Sequence, residues 1–422
     1  MAWRLLVCCV LLGLCPRGWS QESPPSEARL VDGSKFNASL AGAGEGQVNF
    51  STEGKERTVA LDDLLDWGRP AELRKGTYLL LADGGILAGD VTAITSEHVQ
   101  FISARRPGLW RSNRILRKEV KAIVYQSSFS APERDRFDFQ LLSSTDAQDR
   151  LLLADGDSLS GSLLDASPRD DTEGATPLLR FLLPGAKEPL KIAQQRVIAA
   201  VLSGRSTPAR ADASFWLGLA DGSLVLAAGL ATAHDAVTVT LANGATLQAS
   251  AADNDLEPPE SFWSRVACLQ PLSQRVIYLS DSKTIGFKHV PLFDWQQEYA
   301  NDRSVTYSLL RASGQQFIKG IGMPATSRLA YEIPEGAKRF EAEIGIDDEA
   351  GRAGSVIFRV FLEASGESWK PAFESKVIRG GDPLQGIRVE LGEARRLALV
   401  VEMSDHGDQR DWADWLNARF VK

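Results

Sequence analysis

Residues 317–347 read FIKGIGMPATSRLAYEIPEGAKRFEAEIGID, and the fold is decided there. Leu329, Tyr331 and Ile333 alternate with Ala330 and Glu332. Further on, Phe340, Ala342, Ile344 and Ile346 alternate with Glu341, Glu343 and Gly345. A period of two marks strands with one buried face. Three strands are expected, broken at Met323-Pro324 and at Pro334-Glu335-Gly336. Working outward, further strand-like runs lie at 276–279, 355–363, 387–391 and 395–403. Short strands separated by turn signals predict an antiparallel β-sandwich over 273–422.

The N-terminal side repeats a different unit. Four apolar runs each meet Asp-Gly and then another apolar position: RLVDGSKF, LLLADGGIL, LLLADGDSL and LGLADGSL, with aspartates at Asp32, Asp83, Asp155 and Asp221. Asp-Gly between apolar runs is a hairpin signal, read here as a type I′ turn with both residues at positive φ. The spacing of calcium-binding loop ligands is missing, so these aspartates are turn residues. Each hairpin is followed by strand-like runs and a polar step into an apolar strand. About four small β-barrel-like repeats are predicted, at 21–72, 73–126, 149–204 and 214–272. Residues 127–148 are polar and read as a linker or loop, and 205–213 as a second linker. The whole chain is therefore expected to be all-β, with helical periodicity nearly absent.

Residues 1–20 stand apart. Arg4 precedes an apolar run that ends before Gly18-Trp19-Ser20, the pattern of a cleaved export signal. Three of the four cysteines lie in it, which leaves Cys268 alone and no intrachain disulfide to form. The net charge of −8, with no basic tract, argues against nucleic-acid binding. No later apolar run is long enough for a membrane span. The expected location is outside the cytoplasm: periplasm, cell surface or medium.

In order along the chain stand YLSD (278–281), FIKGIG (317–322), SRLAYEIP (327–334), RFEAEIGIDD (339–348), GSVIFRVF (354–361), IRVELGEARRLALVVE (387–402) and DWADWLNARF (411–420). This series resembles the NPCBM family of carbohydrate-binding modules and covers 273–422. The resemblance implies a galactose-binding-like jelly-roll sandwich, sugar binding, and a structural calcium of the kind related sandwiches carry. Joined to a signal and β-repeats, it looks similar to exported bacterial proteins. One departure is local: Met323-Pro324 stand where the family commonly has Thr-His.

A sugar site needs flat apolar faces for pyranose C–H patches and a few polar groups for hydroxyls. Trp295 and Trp369 lie in predicted loops and are the stacking candidates, with Tyr299, Arg379 and His406 as further carbohydrate contacts. Gln296, Asp382 and Asp408 are nearby polar groups. Trp412 and Trp415, three apart before a terminal strand, are assigned to core packing. Asp347 and Asp348 follow a strand end and are the candidate calcium ligands. Catalysis finds no frame. His98, His234, His289 and His406 sit in unrelated contexts, and no HExxH, GxSxG or P-loop spacing occurs. The sequence thus predicts a non-enzymatic, exported protein whose partner is a glycan. The alternative is a structural or protein-interaction role with a partner protein of the cell envelope and no sugar.

Overall fold

The computed structural model describes residues 25–422 except 53, 74, 104–109, 129, 168–176, 204–212, 234–235, 251, 254–259, 293–294, 367 and 406. The export-signal reading of 1–20, nearly all of the linker at 205–213, and His406 lie outside the described residues.

The Asp-Gly turns are all built alike. Leu30 donates its N–H to Ser34 O, and Gly33 donates to Leu30 O, both at 2.9 Å. Leu81, Leu153 and Leu219 close the same pair of bonds around their own Asp-Gly. Asp32 Oδ1 accepts the Ser34 N–H at 2.8 Å, and Asp83, Asp155 and Asp221 do likewise two residues on. The glycines stand at φ of 90–93°, whereas the aspartates are not at positive φ. This corrects the type I′ expectation. The loops have three residues, with glycine alone in the left-handed region, and the aspartate is chosen for its side-chain acceptor.

Around each turn a small barrel-like unit forms. In the first, Ser26–Leu30 pairs antiparallel with Lys35–Gly44 and also with Leu64–Gly68, which follows a one-turn 3₁₀ helix, Leu61–Asp63. Gln47–Thr52 and Lys55–Ala60 continue the sheet. The other three units repeat this order, each with a 3₁₀ turn before its last strand. The units join through those last strands. Leu64–Gly68 pairs with Val266–Pro271, so the first unit meets the fourth. Val120–Val124 pairs with Val197–Val201, so the second meets the third. At the first junction Gly68 has φ 70°, and a Cβ there would come within 2.1 Å of Ala267 O, so only glycine fits. One apolar core runs through all four units, with Phe50, Trp67, Phe101, Phe181 and Phe262 essentially inaccessible to solvent.

Residues 127–148 are a correction. They contain a 13-residue α-helix, Ala131–Ser143, with Pro132 in its first turn. Its buried face is Arg134, Asp135, Asp138 and Leu141. Three of these four are charged, so no apolar period betrays the helix. Burial is compensated by partners: Arg134 with Glu72 at 2.9 Å, and Asp138 accepting from the Tyr78 hydroxyl at 2.6 Å.

The C-terminal sandwich has two facing antiparallel sheets. One follows the order Ala300–Asn301, Gly320–Pro324, Trp412–Val421, Arg339–Ile346, Gln385–Glu390. The other follows Thr284–His289, Ser327–Glu332, Ala394–Met403, Ser355–Ala364, Lys370–Glu374. Tyr331, Phe340, Phe358, Trp415 and Phe420 fill the space between them. Trp415 is wholly buried, edge-on to Phe358 at 5.0 Å, as assigned from sequence. Met323-Pro324 do not interrupt a strand; they finish one. Pro324 is opposite Trp412 at the last position of Gly320–Pro324, where a missing N–H costs the ladder least.

Charged contacts bolt the sandwich to the first unit and to the helix. Asp66 receives Arg29 at 2.8 Å and Arg419 at 3.0 Å, all three buried, while Glu343 accepts from Arg29 at 2.7 Å and Arg69 at 3.0 Å. On the helix side, Arg311 bridges Glu72 and Asp135, Arg136 meets Glu349 at 2.8 Å, and Phe139 stacks on Tyr307 at 4.9 Å.

Candidate functional site

At one rim of the sandwich the strand Thr284–His289 and the start of Trp412–Val421 hold apart a cavity of about 200 Å³. His289, Trp295, Gln297, Pro324, Asp408, Asp411 and Trp412 are among its walls. Trp295 projects from the loop after Thr284–His289 and is 78% exposed, a free flat face. Trp412 is half-buried opposite, packed against the core.

The polar groups are fixed by the backbone. His289 Nδ1 accepts the Gln297 N–H at 3.1 Å, which leaves Nε2 to donate to Ala325 O at 3.2 Å. These two contacts fix the orientation of the ring. Asp408 Oδ2 accepts the Leu292 N–H at 3.0 Å and ties down the Trp295 loop. Asp411 Oδ1 accepts the Ser355 N–H at 2.7 Å, while its Oδ2 is buried without a partner. Burial, then the charges of Asp408 and Asp405, push this carboxyl up to about 7. Near neutrality it can therefore accept or donate toward a ligand hydroxyl.

The structure distributes the residues singled out from sequence. Trp295 and Asp408 line the rim cavity. Trp369 lines a separate furrow on the outer face of one sheet. Tyr299 packs its ring on Phe287 at 5.0 Å, with its hydroxyl 3.3 Å from Thr284 Oγ1, and reaches neither cavity. Arg379 is paired to Asp405 at 2.6 Å on the neighbouring loop and lines neither. Asp382 caps the Arg379 N–H at 2.9 Å. His289, Gln297 and Asp411 escaped sequence reading. Asp408, Asp411 and Trp412, three and then one apart before a terminal strand, were the available signal.

For calcium, Asp347 Oδ1 accepts the Glu349 N–H at 2.8 Å and caps a 3₁₀ turn, and Asp348 Oδ2 accepts the Gly314 N–H at 2.9 Å. Among the described residues no three acidic, histidine or cysteine side chains gather as a metal would require. Asp347 instead faces Asp414, both buried. Asp347 Oδ1 and Asp348 Oδ2 thus serve the turns around them.

Cys268 is buried in Val266–Pro271, and burial pushes its thiol up to about 12. It is expected to stay unmodified by iodoacetamide in the native protein at pH 8 and to react fully in urea, read by intact mass.

Residues 275–421 match the family model of the NPCBM/NEW2 domain. The alpha-1,3-galactosidase B of Akkermansia muciniphila is 35% identical over 170 residues, which are 36% of this chain and 21% of that protein. A Renibacterium salmoninarum protein, named provisionally as an endo-alpha-N-acetylgalactosaminidase, is 32% identical over 149 residues, 34% of this chain and 9% of its own length. The chain thus spans about a fifth of the one relative and less than a tenth of the other. Among solved structures, the CBM51 module of Clostridium perfringens GH95 with methyl-galactose aligns at 24% identity and TM-score 0.30, over 35% of this chain and 99% of that one. The family match falls on the two-sheet sandwich: residues 275–421 of this chain are an NPCBM/NEW2 domain, joined to four small β-units.

Proposed function

We propose that this is an exported, non-catalytic glycan-binding protein whose NPCBM/NEW2 domain holds a sugar in the rim cavity. The observation that carries the reading is the buried, unpartnered Asp411 Oδ2 of a cavity that Trp295 and Trp412 also line. A hydrophobic wall with a few fixed polar groups is what a pyranose needs. Trp295 would stack on the apolar sugar face, and Asp411, Gln297 and the carboxylate of Asp408 would meet hydroxyls. Trp369 marks a second surface. The relatives' names concern glycans, and the shared segment is a minor part of each, as an accessory module would be. Export is supported by the pattern in residues 1–20. Among the described residues no helix is long and apolar enough to cross a membrane. The non-catalytic reading is supported by Cys268 and His289, whose nucleophilic atoms are buried or committed to the backbone.

Trp295→Ala and Asp411→Asn in the full chain are each expected to weaken retention on a neutral glycan array by about tenfold or more. The circular dichroism spectrum should be unchanged. Wild-type levels of retention in both variants would place the site elsewhere. A wild-type protein that retains no glycan but captures an envelope protein would favour the interaction role instead.

A further inference from the structure

The outer face of the sheet Thr284–His289, Ser327–Glu332, Ala394–Met403, Ser355–Ala364 carries a furrow of about 470 Å³. Register explains its shape. Gly286, Ala330, Ala398 and Phe361 stand opposite one another in one row across the four strands. The first three are small, so the row is a trough, and Phe361 with Trp369, 38% exposed, closes its end. The next row runs Lys288, Arg328, Val400, Arg359. Arg359 is engaged by Glu374 at 3.0 Å and by Glu402 at 3.1 Å. Lys288 and Arg328 both line the furrow and have no carboxylate partner among the described residues. Like charges directly opposite on neighbouring strands destabilise a sheet. Nothing in the register requires this pair, and an anion seated over it would relieve the repulsion.

We propose that the furrow is a second saccharide site, specific for a sugar bearing a carboxylate or sulfate group. The anion lies over Lys288 and Arg328, and the ring lies against Trp369 and Phe361. Charge complementarity selects the ligand class, because Lys288 and Arg328 are unpaired among the described residues while Glu402, the carboxylate of the lining, is engaged by Arg359. Gly286, Ala330 and Ala398 let a pyranose ring approach the strands closely. The furrow and the rim cavity are neighbours: His289 and Ala325 line the cavity, while Lys288, Val290 and Thr326 line the furrow. One oligosaccharide can reach both, with a neutral residue at Trp295 and an acidic one at Trp369. The proposal rests on the glycan-binding reading above only in that its ligand is a saccharide.

The test is calorimetric titration of the full chain with three hexasaccharides: chitohexaose, neutral; a hyaluronan fragment, carboxylated; and a chondroitin sulfate fragment, carboxylated and sulfated. At least one acidic probe is expected to bind about tenfold tighter than chitohexaose, with the advantage shrinking as salt rises. The carboxylate and sulfate arms show which anion is preferred. The double substitution Lys288→Gln, Arg328→Gln should abolish the advantage, and Trp369→Ala should weaken acidic probes while leaving chitohexaose as before. Equal affinity for all three probes overturns the furrow but leaves a Trp295-dependent neutral site standing. Acidic binding that survives Trp295→Ala while chitohexaose binds to neither protein overturns the rim reading and keeps the furrow. A polyglutamate peptide that binds as tightly as the acidic probes, indifferent to Trp369→Ala, means a charged patch for peptides and also overturns the proposal.

Discussion

Asp66→Ala is expected to destabilise the protein by about 3–5 kcal/mol in urea titration, more than any other single change at the junction. The reason is the company Asp66 keeps. It is 2% exposed and receives Arg29, Arg419 and Arg69. Burial alone would raise its pKa, but the three guanidiniums outweigh burial and hold it well below the usual carboxylate range. Removing the carboxylate strands Arg29 and Arg419, themselves buried, beside each other with less compensation. Arg29 belongs to the first β-unit and Arg419 to the last strand of the sandwich, so the loss falls on the junction. Proteolysis between the units should accelerate in parallel. A shift below about 1 kcal/mol would mean that water or neighbouring acids take over the role.

The second large effect is a stability optimum in mildly acidic solution. Burial pushes Asp347 up from 3.8 to about 6, and burial with the Asp347 carboxyl holds Asp414 well above its ordinary value. Asp138 and Asp411 are both pushed up to about 7, mainly by burial. A carboxyl whose pKa is raised on folding binds its proton more tightly in the native chain. Its contribution is complete below the unfolded value and is lost as pH rises through the folded one. For Asp347 alone the rise corresponds to about 3 kcal/mol by the alkaline end. Asp66, Glu341, Glu343 and Glu72 act oppositely: burial raises each, arginine partners more than reverse it, and their contribution is lost as pH falls below the ordinary carboxylate range. The urea midpoint should therefore be higher at pH 5.5 than at pH 8. Asp414→Asn should flatten the alkaline fall, since an amide can donate to Asp347 without titrating. An alkaline limb as steep in that variant as in the wild type would remove the pair as its origin.

How much of this was legible in the sequence depends on where apolar residues fall. The sandwich strands announced themselves because Leu329, Tyr331, Phe340 and Ile344 alternate with polar neighbours. The Asp-Gly turns did too, though the aspartate works through its side chain and only glycine takes positive φ. The helix Ala131–Ser143 did not, because its buried residues are charged and their partners lie far away in the chain: Glu72, Tyr78 and Arg311. No local window contains that information. The same holds for the rim cavity. Trp295 could be nominated by its loop, but His289, Gln297 and Asp411 become a site only when two distant strand ends meet. Lys288 opposite Arg328 is likewise a product of register, invisible until the strands are paired.

The pairing of last strands has a consequence for how such a chain can change. First with fourth and second with third is a nested order, like two sets of brackets. In an open solenoid a single repeat can be lost from the end with little penalty to the others. Here deletion of any one unit would leave a partner's closing strand with a bare ladder edge, free to seek another chain. Loss is therefore expected in concentric pairs, and excising the inner pair would also take the helix between its members, with its contacts to Arg311 and Glu349. The outer pair carries Asp66 and must stay to seat the sandwich.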